Sequence, residues 1–110
     1  MNSVVRILQP RGILDGKSAN DLAKEAANHF QADAEIVLLD FSEVDIINSS
    51  GIGALVSALK SAKKLGVELC ICSPSFQVRG IFKITKMDVL FEVFSTREEF
   101  ESAIGIGVLA

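Results

Sequence analysis

The sequence predicts an α/β domain, a small, largely parallel or mixed sheet of about four strands with helices packed on it. Three observations carry that reading. Short apolar runs alternate along the chain with stretches whose apolar residues recur at helical spacing, the order that builds helices onto a parallel sheet. The run Ile36 to Leu39 is apolar at every position, as a strand covered on both faces must be. With 110 residues, of which 49% are apolar, residues 1–110 suffice for a single domain that buries most of its unfolded surface without disulfides.

The elements follow in order. Val4 to Leu8 reads as a strand with no strand expected ahead of it, and Pro10 and Gly12 punctuate its end. Ala19, Leu22, Ala23, Ala26 and Phe30 form a helical stripe, capped either by Ser18 with Asp21 or by Asp15. After Ile36–Leu39 and Asp40, a polar loop contains a second short apolar run, Val44 to Ile47. A second helix follows with Ile52, Leu55, Val56 and Leu59 as its core stripe and Gly66 at its C′ position. Val67 to Cys72 is the next strand. Ser73 and Pro74 read as the N-cap and first residue of a third helix, with Phe76, Val78, Ile81 and Phe82 as its apolar positions and Gly80 weakening it. Val89 to Phe94 reads as a further strand. Thr96 with Glu99 forms a capping box for a last helix carrying Phe100, Ala103 and Ile104 and ended by Gly105. The apolar tail Ile106 to Ala110 is left unassigned.

Composition excludes several functions. A net charge of −3 argues against nucleic acid, which needs a basic face. Lys60, Lys63 and Lys64 read as the solvated side of an amphipathic helix. No basic leader with a long apolar core is present and no apolar run approaches a membrane span, so no direct membrane insertion is expected. Cys70 and Cys72, two apart on a strand, read as buried thiols; a metal site would want wider spacing or a second ligand pair. They fit a reducing, cytoplasmic setting. The sequence therefore points to no metal and no cofactor.

Apparent catalytic motifs fail on spacing. Gly12 to Ser18, GILDGKS, ends like a phosphate loop, but three residues separate its glycines where four are required. Gly51 and Gly53 begin a dinucleotide fingerprint whose third glycine is replaced by Val56. Ser49 and Ser50 lack the glycine that precedes a hydrolase nucleophile, and His29 is the only histidine available as a base. No catalytic residue is assigned and the chain is not expected to be an enzyme; nucleotide binding is left to titration with GTP and ATP.

The most informative stretch is Val37 to Gly53, VLLDFSEVDIINSSGIG. Asn48, Ser49 and Ser50 carry short oxygens suited to a helix start, where free N–H groups and the helix dipole favour an added anion. On residues alone this is an ordinary N-cap. The order of elements, together with the segment from Asp40 through Thr96, resembles the STAS domain family, typified by bacterial anti-sigma factor antagonists. The resemblance runs from about Val4 to about Ile104. Its most specific part is a strand, a polar loop, two hydroxyl residues and Gly-aliphatic-Gly opening a helix, here Ser49 Ser50 Gly51 Ile52 Gly53.

That resemblance implies a STAS-like fold and a regulatory, protein-binding function. Members of this type bind a kinase-type anti-sigma factor when unphosphorylated and release it when one serine is phosphorylated. By position that serine is Ser49. Asp15, in Gly12 Ile13 Leu14 Asp15, matches the family's early aspartate. The implied partner face comprises Asp15, Asn48, Ser49, Ser50, Gly51 and Ile52, and the implied partners are an anti-sigma factor with serine kinase activity and a phosphatase. A homodimer is left open. Two differences stand out: Asn48 occupies the place of the usual Asp before the phosphoserine, and Thr85 Lys86 Met87 replaces a Thr-Gly-Leu segment, so the end of the third helix is expected to be built differently. The alternative within the same fold is a scaffold or transporter-associated subunit that is never phosphorylated, with Ser49 and Ser50 merely capping the helix.

Overall fold

A computed structural model describes residues 4–105. The main sheet has four strands in the order β1-β3-β5-β6, every pair parallel. They are β1 (Val5–Leu8), β3 (Ile36–Asp40), β5 (Glu68–Cys72) and β6 (Glu92–Phe94). A second, two-stranded parallel sheet pairs β2 (Arg11–Leu14) with β4 (Glu43–Ile47). The helices are α1 (Gly16–Gln31), α2 (Ser49–Lys64), α3 (Phe76–Thr85), the single turn α4 (Met87–Leu90) and α5 (Arg97–Ile104). The expected four-stranded, largely parallel α/β layer is therefore present, with a small second sheet beside it.

Alternation along the strands divides the core in two. Val37, Leu39, Leu69 and Ile71 face α1, α2 and α3, where they meet Leu22, Phe30, Leu55 and Phe82. Ile36, Leu38, Cys70 and Cys72 point the other way, onto Phe100 of α5. Both cysteines are buried on one face, as their spacing predicts. Among the described residues no helix is long and apolar enough to cross a membrane.

Four local expectations are corrected and one open choice is decided. Arg11–Leu14 and Val44–Ile47 belong to strands; each pairs only with the other, and elements of four and five residues are too short for their pattern to separate strand from loop. Their register shifts between Gly12 and Ile13, where Gly12 has φ +71°. Second, of the two caps the sequence allowed for α1, Asp15 is the one used, in a reciprocal pair with Ser18. Third, α3 starts at Ser75, whose hydroxyl accepts from the Val78 N–H at 3.2 Å. Ser73 cannot cap it, because its φ of +58° lies outside the extended region an N-cap requires and its N–H is bonded to the Phe94 carbonyl. Fourth, Val89 and Leu90 belong to or adjoin a helical turn, and only Glu92–Phe94 forms a strand. Fifth, Phe76 is no core position: it is 91% exposed. At α5 the Thr96 hydroxyl accepts from Glu99 N–H as expected, while the Glu99 carboxylate reaches the N–H of Ser95 instead of closing the box. Ala103 is exposed. The tail from Ile106 lies outside the described residues.

The end of α3 also departs from expectation. Lys86 takes the left-handed conformation, φ 64° and ψ 19°, that a glycine would adopt there without strain. The helix end is thus built in the glycine manner with a lysine in place. Left-handed backbone costs a non-glycine residue roughly 1–2 kcal/mol, partly offset by glycine's freedom in the unfolded chain. Lys86→Gly is accordingly expected to stabilise the domain by about 1 kcal/mol, read as a higher urea midpoint; an unchanged or lower midpoint contradicts this account.

Candidate functional site

In each βα unit the helix starts at the carboxyl end of its strand, so β2 delivers the start of α1 and β4 the start of α2 to one end of the molecule. The β2–β4 pairing holds the two starts side by side. The Leu14 carbonyl accepts from Asn48 N–H at 3.1 Å, tying the end of β2 to the N-cap of α2.

Asn48 is that N-cap. Its side-chain oxygen accepts from Gly51 N–H at 2.9 Å with extended backbone, φ −99°, and Ile52 N–H bonds to its carbonyl. Of the three oxygens the sequence offered, Asn48 is the cap used; Ser49 and Ser50, to which the scaffold alternative gave that role, occupy the first two helical positions, both exposed. No side-chain hydrogen bond among the described residues engages either hydroxyl. Ser50 lies against α1, its Cβ 3.2 Å from where a Cβ on Gly16 would stand.

Gly51 is buried. A Cβ there would lie 2.5 Å from the Leu14 carbonyl oxygen and 2.9 Å from Ile47 Cγ1, so only glycine lets α2 approach β2 this closely. Its part in the site is to seat the helix. Ile52 is partly buried against the core, whereas Asp15 is exposed.

Asp15 caps α1 through a reciprocal pair: its Oδ1 accepts from Ser18 N–H at 2.9 Å, and Ser18 Oγ accepts from Asp15 N–H at 2.9 Å. The backbone hydrogen bond from Ser18, then its hydroxyl, holds the Asp15 carboxyl below its ordinary value of 3.8. A depressed folded-state pKa makes this contribution fully present above pH 3.8 and lost as pH falls through the lower value. Asp15→Asn keeps a cap but removes the titration, so the acid limb of stability is expected to be shallower in that variant when urea midpoints are followed down from pH 5. An identical acid limb would assign it to other carboxylates.

The same contacts dispose of the phosphate-loop look-alike. Ser18 also donates to the Ile13 carbonyl, and Lys17 pairs with Asp21 at 3.3 Å, so the Gly-Lys-Ser residues form a first helical turn. His29 lies in the last turn of α1, about 20 Å from Asp15 at 1.5 Å per residue, and cannot serve Ser49 as a base. Burial, then the Glu68 and Glu92 carboxylates, pushes the Cys70 thiol up to about 12; burial also raises Cys72. Neither thiol is ionised near neutrality, so neither is a ready nucleophile or metal ligand. Among the described residues no group of three or more His, Cys, Asp or Glu could hold a metal.

One buried carboxylate shapes the approach to the site. Asp40 ends β3 with its side chain 8% exposed, 3.9 Å from Arg97 of α5, and its Oδ1 accepts from Ser42 N–H at 3.0 Å. That bond lies in the turn from β3 into β4, the strand that leads to Asn48. The sequence reading did not single out Asp40, Gly16 or the Leu14 carbonyl. Only for Asp40 was there a signal, a charged residue ending an otherwise apolar strand.

Comparison with known proteins bears on this arrangement. The family profile described as STAS domain matches residues 2–100. An anti-sigma-B factor antagonist of Listeria monocytogenes is 32% identical over 77 residues, covering 69% of this chain and 68% of that protein. The anti-sigma factor antagonist SpoIIAA of Bacillus, in its unphosphorylated form, superposes with a TM-score of 0.75 at 15% identity, covering 96% of this chain and 92% of its own. The STAS domain of a SulP transporter from Vibrio cholerae gives a TM-score of 0.79 at 17% identity, covering 98% and 86%. The last two are likenesses of fold.

Proposed function

The chain belongs to the STAS domain family, and from that membership together with the geometry at the start of α2 we propose that it is a regulatory protein-binding module of anti-sigma factor antagonist type, switched by phosphorylation at Ser49. Its proposed partners are an anti-sigma factor with serine kinase activity and a phosphatase that reverses the modification. The contact surface comprises Asp15, Asn48, Ser49, Ser50 and Ile52, with Gly51 beneath them seating the helix.

The observation that supports this most is the Asn48 cap. Because Asn48 satisfies the Gly51 N–H, the Ser49 hydroxyl is exposed and uncommitted at the first position of a sixteen-residue helix. A phosphate there carries roughly −1.5 to −2 charges and is favoured by the helix dipole and free N–H groups. Phosphorylation should therefore leave the fold intact and act on the partner, where the added charge meets an apolar or acidic surface and is costly to desolvate. A loss of about 3 kcal/mol corresponds to about a hundredfold in affinity.

The test is binding to a cognate anti-sigma kinase. Ser49→Asp should weaken the complex about a hundredfold and Ser49→Ala should retain it; equal binding by both variants sinks the proposal. Intact-mass measurement on protein from its native host, before and after phosphatase treatment, reports whether the serine is modified in the cell. Asn48, which removes the acidic neighbour usual before the phosphoserine, and the fold shared with a transporter STAS domain favour a second reading, a constitutive scaffold or transporter-associated subunit. That reading predicts an unmodified Ser49 and a partner indifferent to both variants.

A further inference from the structure

We propose that the outward face of α3 is a docking surface for an acidic, amphipathic segment of a protein partner. The inference rests on the chain being a protein-binding module but not on Ser49 or its modification.

α3 is apolar on two faces. Val78 and Phe82, 0% and 1% exposed, pack into the core. Phe76, Gly80 and Ile84 fall at i, i+4 and i+8, which places them together on the opposite side; Phe76 is 91% and Ile84 83% exposed. The chain's own core gains nothing from these two side chains.

Gly80 lies between them. A glycine inside a helix weakens it relative to alanine, and a Cβ at this position would meet nothing within 4 Å. Packing within the chain therefore gives no reason for glycine. What it creates is a notch between Phe76 and Ile84 into which another backbone or an apolar side chain fits.

Charge selects the occupant. Arg79 and Lys83, at i and i+4, border the stripe along one side and pair with no carboxylate among the described residues. α3 carries no acidic residue. Asp88 shares with them the lining of a cavity of about 210 Å³ that Val93 and Ser95 also line, without pairing to either. In a chain of net charge −3, this face is locally cationic. A second copy docked by a two-fold axis would bring like charges together. A membrane surface calls for a larger basic cluster than two residues on a ten-residue helix. A partner helix with apolar residues spaced to straddle Gly80 and carboxylates beside them matches both features.

The test is selection of a displayed random peptide library on the full chain, with counter-selection on the Phe76→Ala/Ile84→Ala variant. Because both side chains lie outside the core, that variant should keep the wild-type circular dichroism. Enriched peptides should combine Asp or Glu with paired apolar residues at helical spacing. A fluorescein-labelled consensus peptide should bind about tenfold or more weakly to that variant and to Arg79→Glu/Lys83→Glu, with affinity falling as salt rises. The proposal is overturned by absence of enrichment, by basic or uncharged consensus peptides, or by equal binding to the variants. It is also overturned if Phe76→Ala/Ile84→Ala abolishes self-association seen by sedimentation, or abolishes cosedimentation with phosphatidylserine vesicles. Ser49 is intact throughout, so failure here and failure of the phosphorylation switch are separate results.

Discussion

Gly51→Ala is expected to destabilise the domain by about 3 kcal/mol, at the upper end of what an added core methyl costs. The sign is informative. Alanine is the better helix former by about 1 kcal/mol, so propensity alone predicts stabilisation. Against it stands a Cβ 2.5 Å from the Leu14 backbone oxygen, which no rotamer change relieves. The same carbonyl holds Asn48 N–H, so moving it loosens the N-cap as well. Gly53 supplies the control two residues along the helix: it is exposed and a Cβ there meets nothing within 4 Å, so Gly53→Ala should stabilise by about 1 kcal/mol. Urea denaturation of both variants checks the pair. Stabilisation by both substitutions would mean that α2 and β2 do not approach as closely as described.

Phe82→Ala is expected to cost about 4 kcal/mol, within the range for emptying a buried aromatic site. Phe82 is 1% exposed and its ring centroid lies 6.0 Å from that of Phe41, which follows Asp40 at the turn between β3 and β4. Removing it leaves a cavity between α3 and the segment that leads to the site. A domain of this size holds about 5–15 kcal/mol in total, so the variant should unfold at much lower urea. Phe76→Ala on the same helix should change stability by less than about 0.5 kcal/mol, since Phe76 is 91% exposed. Similar losses from the two substitutions would place Phe76 in the core and remove the basis for a docking face on α3.

Most of the architecture was legible from local patterning. The uniformly apolar run Ile36–Leu39 belongs to one of the two interior strands of the sheet, buried at every position. The stripe Ala19, Leu22, Ala26 and Phe30 is the buried face of α1, and Gly66 and Gly105 take the left-handed conformations expected after α2 and α5. The four-stranded parallel sheet follows from their order. β2 and β4 were hidden because each is paired only with the other, from more than 30 positions away, and strands of four and five residues are too short for their pattern to stand out. At Val89 and Leu90, β-branched and apolar composition suggested a strand, while the left-handed Lys86 and the buried Met87 wind a helical turn there instead.

At the site, sequence and resemblance placed Ser49 at a helix start and matched Asp15 to a family position. They could not divide the labour among Asn48, Ser49 and Ser50, since any of the three oxygens can cap a helix. Likewise either serine flanking Pro74 could begin α3. Sequence alone determined which faces are apolar, where helices begin to within a residue or two, and that no metal or catalytic cluster was to be expected. Tertiary structure decided which of several equivalent caps is used, why Gly51 must be glycine, and which apolar positions of α3 remain uncovered. The reason is one of range: periodicity records burial along a single element, whereas the Leu14–Gly51 approach, the Gly16–Ser50 contact and the exposure of Phe76 depend on which distant segments meet.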